Sequence, residues 1–189
     1  MQKANQRKKE VEGMKIQIFS VALDGDGRSI LEEDFSRDYD GSDRLDTPAK
    51  IVAVMEEVFH LSDRAEEYMY LICMNARCKP ICLFEVSHGT HDSTLVGIRE
   101  IFVRAMLCGA SDIVVVHNHP GGTEEPTKKD LRVTERIKEA SDLLGILFCD
   151  HIIISRDSYF SFRENGKIGK SELSPDGLGS SFPVARTGN

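Results

Sequence analysis

From residue 47 onward the apolar positions alternate between helical and extended spacing. Ile51, Val54, Met55, Val58 and Leu61 recur at three- and four-residue intervals, which places them on one face of a helix. Thr47-Pro48 opens it, with threonine as the N-cap and proline in the first turn, where its missing N–H costs nothing. Tyr68–Met74 and Pro80–Val86 are apolar runs joined by Asn75-Ala76-Arg77-Cys78-Lys79, the pattern of a hairpin. Ile98–Cys108 has helical spacing and stops at Gly109. Ile113-Val114-Val115-Val116 is a β-branched run that predicts a buried strand ending at His117. Thr127 to Leu144 predicts a third helix, ended by Gly145. Ile146–Ile154 and the short Tyr159–Phe162 predict two further strands. The order α-β-β-α-β-α-β-β predicts an α/β protein, a mixed β-sheet flanked by helices.

The ends of the chain are patterned differently. Residues 1–13 have no apolar period and are expected to be disordered. Met14–Leu23 alternates in part and predicts a strand, and Asp24-Gly25-Asp26-Gly27 predicts a turn. That run resembles the opening of a calcium loop but lacks the later glutamate. Residues 28–46 are acidic and are expected to be irregular. After Gly166 a Ser/Gly/Pro-rich tail is expected to be unstructured. The chain of 189 residues thus divides into a partly disordered N-terminal extension (1–46), one domain (47–167) and a disordered tail (168–189).

Charge and composition narrow the function. The net charge is −7, and the basic cluster Lys3, Arg7, Lys8, Lys9 is short. Proteins that grip phosphate backbones usually carry a basic face, so strong nucleic-acid binding is not expected. No apolar run is long enough for a membrane span, and the first residues form no apolar leader; a cytoplasmic location is expected. The five cysteines are odd in number and lie mostly in apolar contexts, as reduced core residues do. Cys78 and Cys82 have no second Cys or His pair at zinc-finger spacing.

One segment carries candidate chemistry: His117-Asn118-His119-Pro120-Gly121-Gly122, followed by Thr127 and Asp130. Residues i and i+2 of a strand share a face, so His117 and His119 can reach one metal ion together. Pro120 stops the strand, Gly121-Gly122 turns the chain, and Asp130 returns near the start of the next helix. Two imidazoles and a carboxylate, with a fourth position left to water, form the ligand set of a catalytic zinc. A histidine is more often structural than a ligand, and spacing alone leaves that alternative open.

The segment resembles the JAMM signature, H-x-H-x(10)-D, of the JAB/MPN metalloprotease superfamily. It is most similar to the RadC-like branch, which usually reads HNHPSG; here Gly121 stands in place of the serine. Gly89-Thr90, Arg99-Glu100-Ile101-Phe102, Asp150-His151-Ile152-Ile153-Ile154 and Ser161-Phe162 extend the likeness over roughly residues 47–167. The resemblance implies a JAB fold, which is similar to that of cytidine deaminases. A zinc deaminase would need H-x-E and P-C-x-x-C, whereas this chain has H-x-H and no C-x-x-C.

The resemblance also implies roles. Zn2+ would be held by His117, His119 and Asp130. The general base would be a glutamate at the start of the first core strand. Counting back from Asn75, where relatives usually have Asp, selects Glu67; Glu66 would face the opposite way. Glu85 in the second strand and Glu100 in the first turn of a helix, where the helix dipole favours a carboxylate anyway, are the competitors. Thr127 stands where the family has Ser or Thr to stabilise an oxyanion. It is also a good N-cap within a near capping box, so two roles compete for one hydroxyl. His151 is either a satisfied structural histidine or a group behind the metal ligands. The implied activity is hydrolysis of a peptide or isopeptide bond in an unidentified protein substrate. An alternative is a non-proteolytic metal-binding module in DNA repair or mobile-element biology. The acidic charge and the lack of a helix-hairpin-helix-like segment before residue 47 count against it. A purely structural scaffold of this family would usually have lost its metal ligands.

Overall fold

Valine and isoleucine run unbroken through Ile113–Val116 because both faces of that strand are covered. In the computed structural model, which describes residues 14–89 and 97–169, this strand is β5, Asp112–Asn118, buried along its whole length. The strands are β1 (Met14–Leu23), β2 (Ser29–Tyr39), β3 (Glu67–Met74), β4 (Pro80–Gly89), β5, β6 (Leu147–Ile154) and β7 (Tyr159–Ser161). The helices are α1 (Pro48–Phe59), α2 (Ile98–Leu107) and α3 (Lys128–Leu144), with a short 3₁₀ turn at Leu61–Asp63. Together the strands form one mixed sheet in the order β2-β1-β4-β3-β5-β6-β7. From residue 47 the order of elements is the one the periodicity predicts.

β5 lies inside the sheet, antiparallel to β3 and parallel to β6. Its alternation feeds two cores. Val114 and Val116 face α1, where Ile51, Val54, Met55 and Val58 supply the predicted stripe. Ile113 and Val115 face α2 and α3 through Ile101, Phe102, Ala105 and Ile137. The sheet is therefore a middle layer with one helix on one side and two on the other. The caps follow the sequence: Thr47 accepts the Lys50 amide, Thr127 caps α3, and Gly145 ends it at φ 71°.

The N-terminal region departs from expectation. Residues 28–46, expected to be irregular, contain the eleven-residue strand β2, paired antiparallel with β1 along its whole length. β1 in turn joins the domain beside β4, with Ile18 opposite Leu83. β2 is an edge strand, mostly exposed, so it needs hydrogen bonds from β1 rather than an apolar stripe. Its Glu32, Glu33, Asp34 and Asp38 are tolerated there and discourage further pairing. A β-bulge at Ile18/Phe19 also breaks the period of two. Beyond residue 167, Ile168 is buried in the core on the α2–α3 side, so the packed chain runs past that boundary. The disorder expected at residues 1–13, the Thr90 feature and the tail from residue 170 lie outside the described residues.

Candidate metal centre

The end of β5 presents the first candidate ligand, and the chain then bends to bring in the other two. His117 is the penultimate residue of β5, paired with Met69 of β3 and Ile153 of β6. The His119 amide still donates to the Ile154 carbonyl at 2.8 Å, which holds the backbone straight for two residues more. Gly122, at φ 88°, then closes a turn by donating to the His119 carbonyl at 3.1 Å; a positive φ suits glycine. A Cβ at Gly121 would meet nothing within 4 Å, so the missing serine reflects no steric need. Thr127 starts α3, and Asp130 falls in its first turn, where the helix dipole favours a carboxylate.

These steps bring three side chains together. The Nε2 atoms of His117 and His119 are 3.1 Å apart. Asp130 places Oδ1 3.3 Å from His117 Nε2 and Oδ2 3.5 Å from His119 Nε2. One ligand atom from each residue lies within 4.8 Å of the others, and all three residues are buried. His119 Nδ1 sits 2.8 Å from the Thr123 carbonyl oxygen. A carbonyl only accepts, so the neutral ring carries its proton on Nδ1 and points a lone pair from Nε2 into the cluster. Buried lone pairs and a carboxylate converging on one spot are costly without a cation, and the donor set suits a metal ion. Burial opposes a charge on His119, yet contact with Asp130, the Thr123 carbonyl and the charge of Glu67 raise its pKa above the usual imidazole value. Burial likewise opposes ionisation of Asp130, but contact with His117, His119 and the Thr127 hydroxyl holds it well below the carboxylate range.

Glu67 is the first residue of β3, opposite Gly89 of β4. It shares strand parity with Met69, the partner of His117, so it stands on the metal-cluster side. Glu66 has the opposite parity. Glu85 pairs with Tyr70 on the α1 side and is engaged by the Tyr70 hydroxyl at 3.4 Å and His88 Nδ1 at 2.8 Å. Glu100 lies beside Arg99, 3.4 Å away, and against Gly97 at the start of its own helix.

Thr127 completes a capping box. Its hydroxyl donates to Asp130 Oδ2 at 2.6 Å, its amide donates to the same oxygen at 2.7 Å, and the Asp130 amide returns to Thr127 Oγ1 at 3.3 Å. The hydroxyl proton therefore orients the Asp130 carboxylate. His151 is fully buried, with Nε2 2.9 Å from His117 Nδ1 and Nδ1 2.6 Å from Thr134 Oγ1. It is both satisfied and directly behind His117. The roles of Thr134 and Asn118 are not marked in the sequence. Asn118, between the two histidines, accepts from the Tyr68 amide at 2.7 Å and donates to the Glu66 carbonyl at 3.0 Å. Its carboxamide thus straddles Glu67. The one available signal was the i+4 spacing of Thr134 from Asp130, and such a threonine usually only bonds back along its helix.

Residues 45–167 match the profile of the RadC-like JAB domain. The chain belongs to the RadC-like JAB family. Among relatives of this domain, a UPF0758 protein of Thermotoga maritima is 37% identical over 126 residues, 67% of this chain and 55% of that one. A UPF0758 protein of Alkaliphilus metalliredigens is 39% identical over 115 residues, 61% of this chain and 48% of its own. One from Clostridioides difficile is 41% identical over 100 residues, 53% and 43% respectively. The chain spans about half the length of these curated relatives. The β1–β2 hairpin precedes the residues that match the RadC-like JAB domain. No described helix is long and apolar enough to cross a membrane.

Proposed function

We propose that this RadC-like JAB domain is a zinc-dependent hydrolase that cleaves a peptide or isopeptide bond. The observation that carries the proposal is the convergence of His117, His119 and Asp130 at the end of β5, with Glu67 on the same side of the sheet. A zinc ion held by these three would act as a Lewis acid and bring the pKa of water toward neutrality. Glu67, the residue that sequence register selects, would accept a proton from the attacking water and deliver it to the leaving amine. Asn118 fixes the backbone on both sides of that glutamate. The cap geometry at Thr127 supports a part in holding Asp130; an oxyanion-binding role would require its hydroxyl to leave the capping box.

The test starts with metal analysis of the purified protein, where about one zinc per chain is expected. Replacing His117 and His119 by alanine together should abolish binding. A screen of peptide and isopeptide substrates, with and without chelator, then supplies an activity. Glu67→Gln should leave zinc content and melting temperature nearly unchanged and lower hydrolysis by roughly 10²–10⁴-fold, as for a lost general base. Full activity in Glu67→Gln on a substrate whose cleavage needs the metal would refute this assignment.

A further inference from the structure

The two imidazoles are not held in the same way. The Nδ1–H of His119 is fixed by a backbone carbonyl, which can only accept. Behind His117 stands another imidazole, His151, and a neutral imidazole nitrogen can either donate or accept. If His151 presented Nε2–H, His117 Nδ1 would have to accept it. The proton of His117 would then sit on Nε2, in the metal position, and the ligand would be blocked.

We propose that Thr134 and His151 form a proton-ordering chain that fixes His117 as the Nδ1–H form and leaves its Nε2 free for the metal; the metal's part in this rests on the function proposed above. Three distances and the donor count give the order. Thr134 Oγ1 lies 2.7 Å from the Asp130 carbonyl, which accepts its single proton. With that proton committed, the same oxygen accepts from His151, 2.6 Å away, so His151 carries its proton on Nδ1. His151 is fully buried, and its two ring nitrogens face Thr134 Oγ1 and His117 Nδ1, so the neutral ring with its proton on Nδ1 holds a lone pair at Nε2. That lone pair, 2.9 Å from His117 Nδ1, requires His117 to donate. Phe162, stacked on His151 with centroids 4.7 Å apart and planes 13° apart, holds the ring in place. The chain starts at the backbone of one ligand, Asp130, and ends on another, His117. Thr134 is a positioning residue that acts on a metal ligand through an intervening ring.

The experiment compares wild type, Thr134→Ser, Thr134→Val and Thr134→Ala. Imidazole nitrogen-15 spectra of the metal-free proteins report which ring nitrogen is protonated, and competition with a chromogenic chelator reports zinc affinity. His117 and His151 should both be Nδ1–H in wild type and in Thr134→Ser, with zinc affinity equal within about threefold. Thr134→Val and Thr134→Ala should shift both rings toward Nε2–H and weaken zinc by roughly 10–100-fold, the usual effect of losing a group behind a ligand. Melting curves confirm that each variant folds, and the two hydroxyl-free variants must agree. Wild-type ring signals and affinity in Thr134→Val or Thr134→Ala would overturn the proposal, and so would an equal loss in Thr134→Ser. Should wild type bind no zinc, the hydrolase proposal fails while the spectra still decide the proton order.

Discussion

At the scale of single residues, two side chains show how burial and hydrogen bonding divide the work. Asn118 has 1% exposure and bonds the backbone on either side of Glu67. Asn118→Ala leaves the Tyr68 amide and Glu66 carbonyl without these partners and frees the start of β3. Hydrolysis is expected to fall at least tenfold while zinc content stays near one per chain; loss of zinc in parallel would show that Asn118 serves the ligands instead. Asp112, at the start of β5, is the opposite case. Burial pushes its carboxyl up to about 6, with only partial relief from Ser111. The folded state binds this proton more tightly than the unfolded chain, so its contribution to stability falls as pH rises from about 4 to 6. Asp112→Asn should therefore raise stability by about 1–2 kcal/mol at pH 7 and change little at pH 4. Paired melting curves at the two pH values, taken as mutant minus wild type, cancel the other titrating groups. A difference independent of pH would show that the carboxylate pays no desolvation cost.

At the scale of elements, the helices were the most legible part of the sequence. Their stripes, the Thr47 and Thr127 caps and the Gly145 stop are local signals and occur where the spacing put them. Buried strands were legible as β-branched runs. β2 was not, because an exposed edge strand takes its hydrogen bonds from a neighbour and carries no obligatory apolar face. The convergence of His117, His119 and Asp130 was visible in outline because the three sit at short intervals around one strand end. Asn118 and Thr134 were hidden because their partners come from elements distant in sequence, such as Tyr68 and His151. The cap of α3 joins the local and the long-range parts. Thr127→Ala removes the hydroxyl that both caps the helix and holds Asp130 Oδ2. Stability should fall by about 1 kcal/mol, and zinc affinity should fall with it. Thr127→Ser should restore both. Unchanged affinity in Thr127→Ala would confine the residue to capping.

At the scale of the whole molecule, charge argues against gripping nucleic acid. The net charge is −7, and the edge of the sheet presents exposed Glu32, Glu33, Asp34 and Asp38. Duplex DNA should be bound weakly at physiological salt, because affinity follows the number of phosphates neutralised. Filter binding across a salt series measures this, and deletion of residues 1–10 should remove most of any binding seen. Tight binding that survives the deletion would favour a role in DNA transactions. The sheet's topology has one more consequence, in the order of assembly. His117 and Asp130 are thirteen positions apart in the chain, whereas the Asn118–Tyr68 bond that seats Glu67 spans 50. Closing the longer loop costs about 1 kcal/mol more in chain entropy. The β5–α3 segment can therefore bring His117 and Asp130 together while β3 is still unpaired. An ion that also bound such open forms would stabilise the fold by less than its affinity implies, so the gain in melting temperature on adding zinc should fall short of the value set by the measured affinity.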